Sequence, residues 1–147
     1  MSDNLPTELV ENFKAYNQKE IDDAFVLACE KGNLEIVKHL LVCPELNDHA
    51  DIHANNDYGF RVACRNGHLD IVKYLLTAPD LTEHANIHAG NDYGFRMACA
   101  NTRLKIIQYF IFDYINPKTG MLGIEKTKEI ENYFNENKDN DFAKQVI

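Results

Sequence analysis

Four histidines offer the first candidate chemistry. His49 and His53 form one His-x-x-x-His pair, and His84 and His88 form another. On a helix that spacing puts two imidazoles on one face, where they can share a metal ion. Here each pair falls in a polar connector, His49-Ala50-Asp51-Ile52-His53-Ala54 and His84-Ala85-Asn86-Ile87-His88-Ala89. In a loop the spacing does not bring the rings together, and no third ligand recurs beside them, so neither metal nor cofactor is expected. Cys29, Cys64 and Cys99 each follow an alanine at equivalent positions. Equivalent positions on stacked helices lie about 8–10 Å apart, whereas disulfide-bonded Cα atoms come within roughly 7 Å. These thiols are therefore expected as small, reduced core side chains, which suits a cytosolic compartment. Cys43 has no local histidine partner and is expected to be a half-buried thiol. Arg61 and Arg96 follow Asp57 and Asp92 by four residues, a spacing that pairs charges along one helix. The spacing also allows an Asp–Arg ladder between copies, or contact with a partner. No nucleophile elbow, phosphate loop or zinc-protease motif occurs, so no catalytic residue is assigned and an enzyme is not expected.

The elements that must position these residues follow from a repeat. The stretch from His49 to Cys64 returns as His84 to Cys99, a period of 35 residues, with a fainter copy at Ala24-Phe25-Val26-Leu27-Ala28-Cys29. Self-similarity at this period marks stacked supersecondary units, each leaving an apolar face for its neighbour to cover. In the best copy Asp57 is expected as a helix N-cap, and Phe60, Ala63 and Cys64 follow at helical spacing. Asn66-Gly67 ends that helix, with Gly67 in the left-handed cap position. A second, densely apolar helix starts near Asp70 and runs Ile71-Val72-Lys73-Tyr74-Leu75-Leu76, until Pro79-Asp80 breaks it. Each unit is helix, turn, helix, loop. In the third copy Thr102 replaces Gly67, and a rearranged turn is expected there, because a non-glycine in that conformation costs on the order of 1 kcal/mol.

Ala63-Cys64-Arg65-Asn66-Gly67-His68-Leu69-Asp70-Ile71-Val72-Lys73-Tyr74-Leu75-Leu76 resembles the heart of an ankyrin repeat. His49-Ala50-Asp51-Ile52-His53-Ala54 is similar to that family's Gly-Ala-Asp-Val-Asn-Ala entry to its hairpin. The resemblance covers residues 21 to about 112. Two departures stand out. The family's Thr-Pro-Leu-His helix start is Tyr58-Gly59-Phe60-Arg61 here, so Arg61 and Arg96 hold a position whose histidine ties neighbouring repeats together. The hairpin segment is also shortened, and extra turns are expected at Pro44-Glu45-Leu46 and Pro79-Asp80-Leu81.

The resemblance implies an all-α ankyrin-repeat solenoid in one domain, residues 1–147. Its expected parts are an N-terminal cap helix at 1–20, repeats at 21–55, 56–90 and 91–116, and a C-terminal helical cap at 117–147. It also implies non-enzymatic binding of a protein partner through the concave face. The family's variable contact positions fall on Asn55, Asn56, Asp57, Arg65, Asn66, Asn91, Asp92, Ala100 and Asn101. Tyr58 and Tyr93 join them on physical grounds, since repeated aromatics at helix starts make good anchors. Arg61, Arg96, His53 and His88 are assigned to structural contacts between repeats. The family also supplies host-directed effectors and viral or bacterial adaptors, and such a role is an expectation here. The alternatives are a metal-binding or enzymatic protein using the His-x-x-x-His loops, which zinc titration separates, and a purely structural stacking module, which light scattering separates.

Charge narrows the partners. The net charge is −8, with ten acidic and eight basic residues within 24–112, so the excess is mostly terminal. Non-specific nucleic-acid binding needs a basic face, and none is expected. The longest apolar run, Tyr109-Phe110-Ile111-Phe112, cannot span a bilayer, and Met1–Pro6 lacks the pattern of a secretory signal. A monomer in the cytosol, or in the cytosol of a host cell without a cleavable signal, is the resulting expectation. Leu9, Val10, Phe13 and Tyr16 give residues 7–17 one apolar side. Ile106, Ile107, Phe110, Ile111 and Ile115 make the third outer helix unusually apolar. A C-terminal helix with Ile124, Ile130, Tyr133 and Phe134 is expected to pack on it as a lid, followed by a shorter helix ending in Phe142 and Val146.

Overall fold

The structure is a computed structural model that describes residues 5–137. Three helix pairs follow one another: α2 (Gln18–Lys31) with α3 (Leu34–Val42), α4 (Ala54–Asn66) with α5 (Leu69–Thr77), and α6 (Ala89–Ala100) with α7 (Leu104–Gln108). A short helix α1 (Thr7–Lys14) precedes them and α8 (Lys128–Asn137) follows. The inner helices α2, α4 and α6 stack in sequence order, and α3, α5 and α7 form a second layer behind them. The fold is all-α; among the described residues the extended pairing is one isolated bridge between Ile115 and Leu122.

Local sequence explains several of the boundaries. Asn17 and Glu20 form a reciprocal capping box at the start of α2. Gly32 and Gly67 close α2 and α4 with φ of 81° and 83°. Thr102 takes the same left-handed conformation, with φ of 53°, so the third turn is kept and not rearranged as its sequence suggests. The same closing bond recurs in all three copies: Asn33 N–H to Ala28, His68 N–H to Ala63, and Arg103 N–H to Ala98. Tertiary packing holds Thr102 where local preference opposes it.

One contiguous core runs through the stack. Phe25, Phe60, Phe95 and Phe110 are fully buried, as are Leu40, Leu75, Ile71 and Ile130. Cys29 and Cys64 lie within it, and burial pushes both thiols well above their ordinary range. Glycine after the tyrosine at the starts of α4 and α6, where α2 has Ala24, allows the inner helices to close up. A Cβ on Gly59 would stand 2.7 Å from the Phe25 ring, and one on Gly94 3.0 Å from the Cys64 sulfur.

The ends differ from the middle. Phe13 of α1 packs on His39 with ring centroids 5.8 Å apart, and Lys14 reaches Glu45 at 3.3 Å. The third outer helix is only five residues long before it widens into a π-helical turn, Tyr109–Asp113. The chain then returns: Gly123 N–H bonds the Tyr114 carbonyl and Ile124 N–H the Phe110 carbonyl, both at 2.7 Å. The lid is therefore split. Residues 122–124 close the outer layer, whereas α8 packs on the inner helix α6, with Phe95 against Tyr133 at 5.5 Å and Phe134 at 6.1 Å. Ile115, expected beneath the lid, is instead 54% exposed. The expected final helix with Phe142 and Val146 lies outside the described residues.

Candidate functional site

The two copies of Ala-x-Asn-Asp-Tyr-Gly build the most unusual local structure. Asn55, Asn56 and Asp57 all have left-handed backbone, with φ of 54°, 57° and 57°. Gly90, Asn91 and Asp92 repeat this at 67°, 55° and 59°. Asn and Asp tolerate that region better than other side-chain-bearing residues, yet each still costs up to about 1 kcal/mol. Three in succession reverse the chain in the shortest space, which is the blunted hairpin in physical form. The right-handed part of each helix begins only afterwards, at Tyr58 and Tyr93.

Arg61 and Arg96 hold these turns. Arg61 donates from Nε to the Asn56 carbonyl at 2.9 Å and from Nη2 to Asn55 at 3.0 Å. Arg96 does the same to Asn91 and Gly90 at 2.9 and 3.2 Å. The expected pairing of these arginines with Asp57 and Asp92 does not occur. The two aspartates are buried and engaged elsewhere, and the carbonyls of the left-handed turn take the guanidinium N–H groups.

Asp57 and Asp92 have a different task. Both are buried, at 4% and 1% exposure, so they cannot serve as the surface contacts that their sequence positions suggest. Nor do they cap their own helices. Asp57 Oδ1 bonds the ring of His53 at 2.8 Å and accepts from the backbone N–H of Asn86 in the next connector at 3.2 Å. Asp92 bonds His88 at 2.5 Å and accepts from the hydroxyl of Thr127, which stands one full period after it, six residues past the position equivalent to Asn86. Asp22 begins the series by accepting from Asp51 N–H at 2.8 Å. One aspartate per repeat thus fastens the following connector.

The four loop histidines are all engaged. His49 and His84 meet the carbonyls of Cys43 and Ala78 through Nε2, at 2.7 and 2.8 Å, while His53 and His88 meet the aspartates. Among the described residues no three side chains of ligating type converge. Sequence reasoning missed His68 and Arg103, which occupy one repeat position. His68 Nε2 bonds the Glu30 carbonyl at 2.9 Å, and Arg103 Nε bonds the Arg65 carbonyl at 3.0 Å, each reaching back one repeat. The 35-residue alignment was the signal that could have paired them.

The exposed side of the inner layer carries the remaining candidates. At 100° per residue, Tyr58, Arg61 and Arg65 fall within an arc of about 60°, opposite Phe60, Ala63 and Cys64. The guanidinium of Arg61 sits 5.1 Å from the Tyr58 ring and 5.0 Å from the Tyr93 ring of the next repeat. Arg96 continues the ladder 5.8 Å from Tyr93. The neighbouring Tyr93 hydroxyl, with Tyr58 adding to it, raises the pKa of the Arg65 guanidinium against a smaller loss from burial. Asn55, Asn56, Asn91, Ala100 and Asn101 are exposed beside this ladder, whereas the Asn66 amide is tied to the Glu30 carbonyl at 3.1 Å.

Stacked helix-turn-helix units with a single inner face define the class as an α-solenoid of repeats. A family model described as ankyrin repeats in three copies matches residues 6–91 and again residues 25–120, and the chain belongs to that family. Ankyrin repeats are in general protein–protein interaction modules and are typically non-enzymatic. Searches of curated proteins and of solved structures return no significant match. Among the described residues no helix is long and apolar enough to cross a membrane.

Proposed function

We propose that this chain is a non-enzymatic binding module, and that it grips a protein partner with the inner-helix face centred on Tyr58 and Tyr93. The observation that carries this reading is the ladder Tyr58–Arg61–Tyr93–Arg96, in which cations fix two half-buried aromatic rings one repeat apart. Side chains ordered before binding lose less entropy on binding. The exposed residues Asn55, Asn56, Asn91, Ala100 and Asn101 and the half-buried Arg65 flank the rings and complete the surface. Asp57 and Asp92 support it from beneath. In this reading residues 1–147 act as one domain, with three repeats between two caps, and as a monomer in a reducing cytosol, its own or a host's.

The test compares two double variants on a partner captured from native or host lysate and then purified. Tyr58→Ala with Tyr93→Ala removes the proposed anchors, and each is expected to cost about 2 kcal/mol or more in affinity, the scale of a hot-spot residue. His53→Ala with His88→Ala is expected to lower the melting temperature and leave affinity unchanged well below it. Affinity lost in the histidine variant and kept in the tyrosine variant would move the site to the loops.

A further inference from the structure

The chemistry of the partner can be taken further, on the premise that the inner-helix face is the binding face. The chain has four arginines, Arg61, Arg65, Arg96 and Arg103, and all lie on α4, on α6 or in the turn that follows α6. The sequence offers 23 acidic residues, yet among the described residues none of these arginines makes an ion pair. Two carboxylates hold the stripe's positions in the first repeat: Asp23 is taken by Lys19 at 2.7 Å, and Glu30, the equivalent of Arg65, is exposed one repeat away from it and pairs with none of the four arginines. A guanidinium has five N–H donors. Arg61 and Arg96 each spend two on carbonyls, in bonds that orient the group without neutralising it.

An apolar feature adjoins this cationic row. Between α2 and α4 a depression is lined by Asp23, Val26, Asn55 and Tyr58. Beside it Leu27 is 53% exposed. Val26 stands where the later repeats have Arg61 and Arg96, so that position changes from apolar to cationic along the stack.

We infer that this face takes an extended acidic segment of a partner protein. An apolar side chain of the segment occupies the depression, and its carboxylates meet Arg61, Arg65 and Arg96. Successive inner helices are about 8–10 Å apart, and an extended chain advances about 3.3 Å per residue. The apolar anchor and the acidic residues therefore recur about every third position of the segment. Fixed guanidinium forks suit carboxylates, which they can bind in bidentate fashion. A polyanion such as a nucleic acid fits less well, because its charge extends past the row into the field of a molecule of net charge −8.

The test selects a phage-displayed library of random extended peptides against the whole chain. A labelled synthetic peptide with one leucine, and glutamates three and six positions from it, then follows by fluorescence anisotropy. Acidic sequences with an apolar residue at that spacing are expected to be enriched. The synthetic peptide is expected to bind about tenfold more weakly when salt rises from about 0.05 M to about 0.3 M. A comparable loss is expected when its glutamates become glutamine, or when the protein carries Arg65→Gln, which removes no bond to the left-handed turns. Lys105→Gln, on α7, is expected to change nothing. Enrichment of neutral or basic peptides that Tyr58→Ala with Tyr93→Ala abolishes would overturn the acidic partner and leave the binding face standing. Peptides indifferent to both the tyrosine and the Arg65 substitutions would defeat both readings. Failure to enrich any peptide, or equal affinity for a single-stranded oligonucleotide, also overturns the inference.

Discussion

Single residues here are often held against their own preference. Thr102 keeps a left-handed conformation that Gly32 and Gly67 adopt freely. Its side chain is exposed and bonds only the neighbouring Asn101 carbonyl, so little is lost by removing it. Thr102→Gly is expected to raise unfolding stability by about 1 kcal/mol in urea titration; a lower stability would show that the threonine does more than occupy the turn. His39 is a different case. It is 3% exposed, with neither ring nitrogen hydrogen-bonded. Burial lowers its affinity for a proton, with Glu45 opposing that shift and Lys14 adding to it. Its folded pKa thus lies below the unfolded value, so the unfolded chain takes up the proton first. The stability of the neutral ring is fully present above about pH 6.5 and declines as pH falls through the window below it. Replacement by Phe, an apolar ring where the next repeats have Tyr74 and Tyr109, is expected to flatten the pH dependence of stability in that window. An unchanged slope in His39→Phe would rule this residue out as its source.

At the scale of elements, the caps repeat the internal contacts with different residues. Thr127 gives Asp92 the hydrogen bond that Asn86 gives Asp57, and α8 lays Ile130, Tyr133 and Phe134 over α6. Burial beneath this lid pushes the Cys99 thiol's pKa up to about 12, with the neighbouring Tyr133 opposing the shift. The lid is therefore an edge-closing element of the inner layer. Ile130→Ala removes a fully buried side chain and is expected to cost roughly 2–5 kcal/mol, measured by chemical denaturation. A chain ending at residue 121 is expected to associate, because Phe95 and its neighbours form an exposed apolar patch without α8. Light scattering that finds a stable monomer would show that the lid is dispensable.

The whole molecule is a short stack whose stability is shared between neighbours. Three repeats are about the minimum for such an array. The hydrogen bonds from one repeat to the next, through Asp22, Asp57, His68 and Arg103, couple units that would not persist alone. Leu75 lies fully buried in the middle outer helix. Leu75→Ala is expected to cost roughly 2–5 kcal/mol and to lower one melting transition of the entire chain. Two separated transitions, with one half still native, would contradict a cooperative stack.

The period, the helix pairs and the family were legible in the sequence, because apolar spacing and glycine stops act locally and recur every 35 residues. The core cysteines were legible for the same reason. What the sequence left undecided is which of several polar groups a side chain chooses. Arg61 has an aspartate four residues earlier, yet it binds carbonyls that only a left-handed turn exposes. Asp57 resembles a helix cap, yet it reaches into the next repeat, since the stack brings the Asn86 N–H within range. Thr102 shows the same balance on the backbone, where packing overrides a local preference of about 1 kcal/mol. Local preferences are small and many, and they set the elements. Burial is large and collective, and only the assembled stack decides which polar partners meet, which aspartates disappear from the surface, and which carbonyls the arginines take.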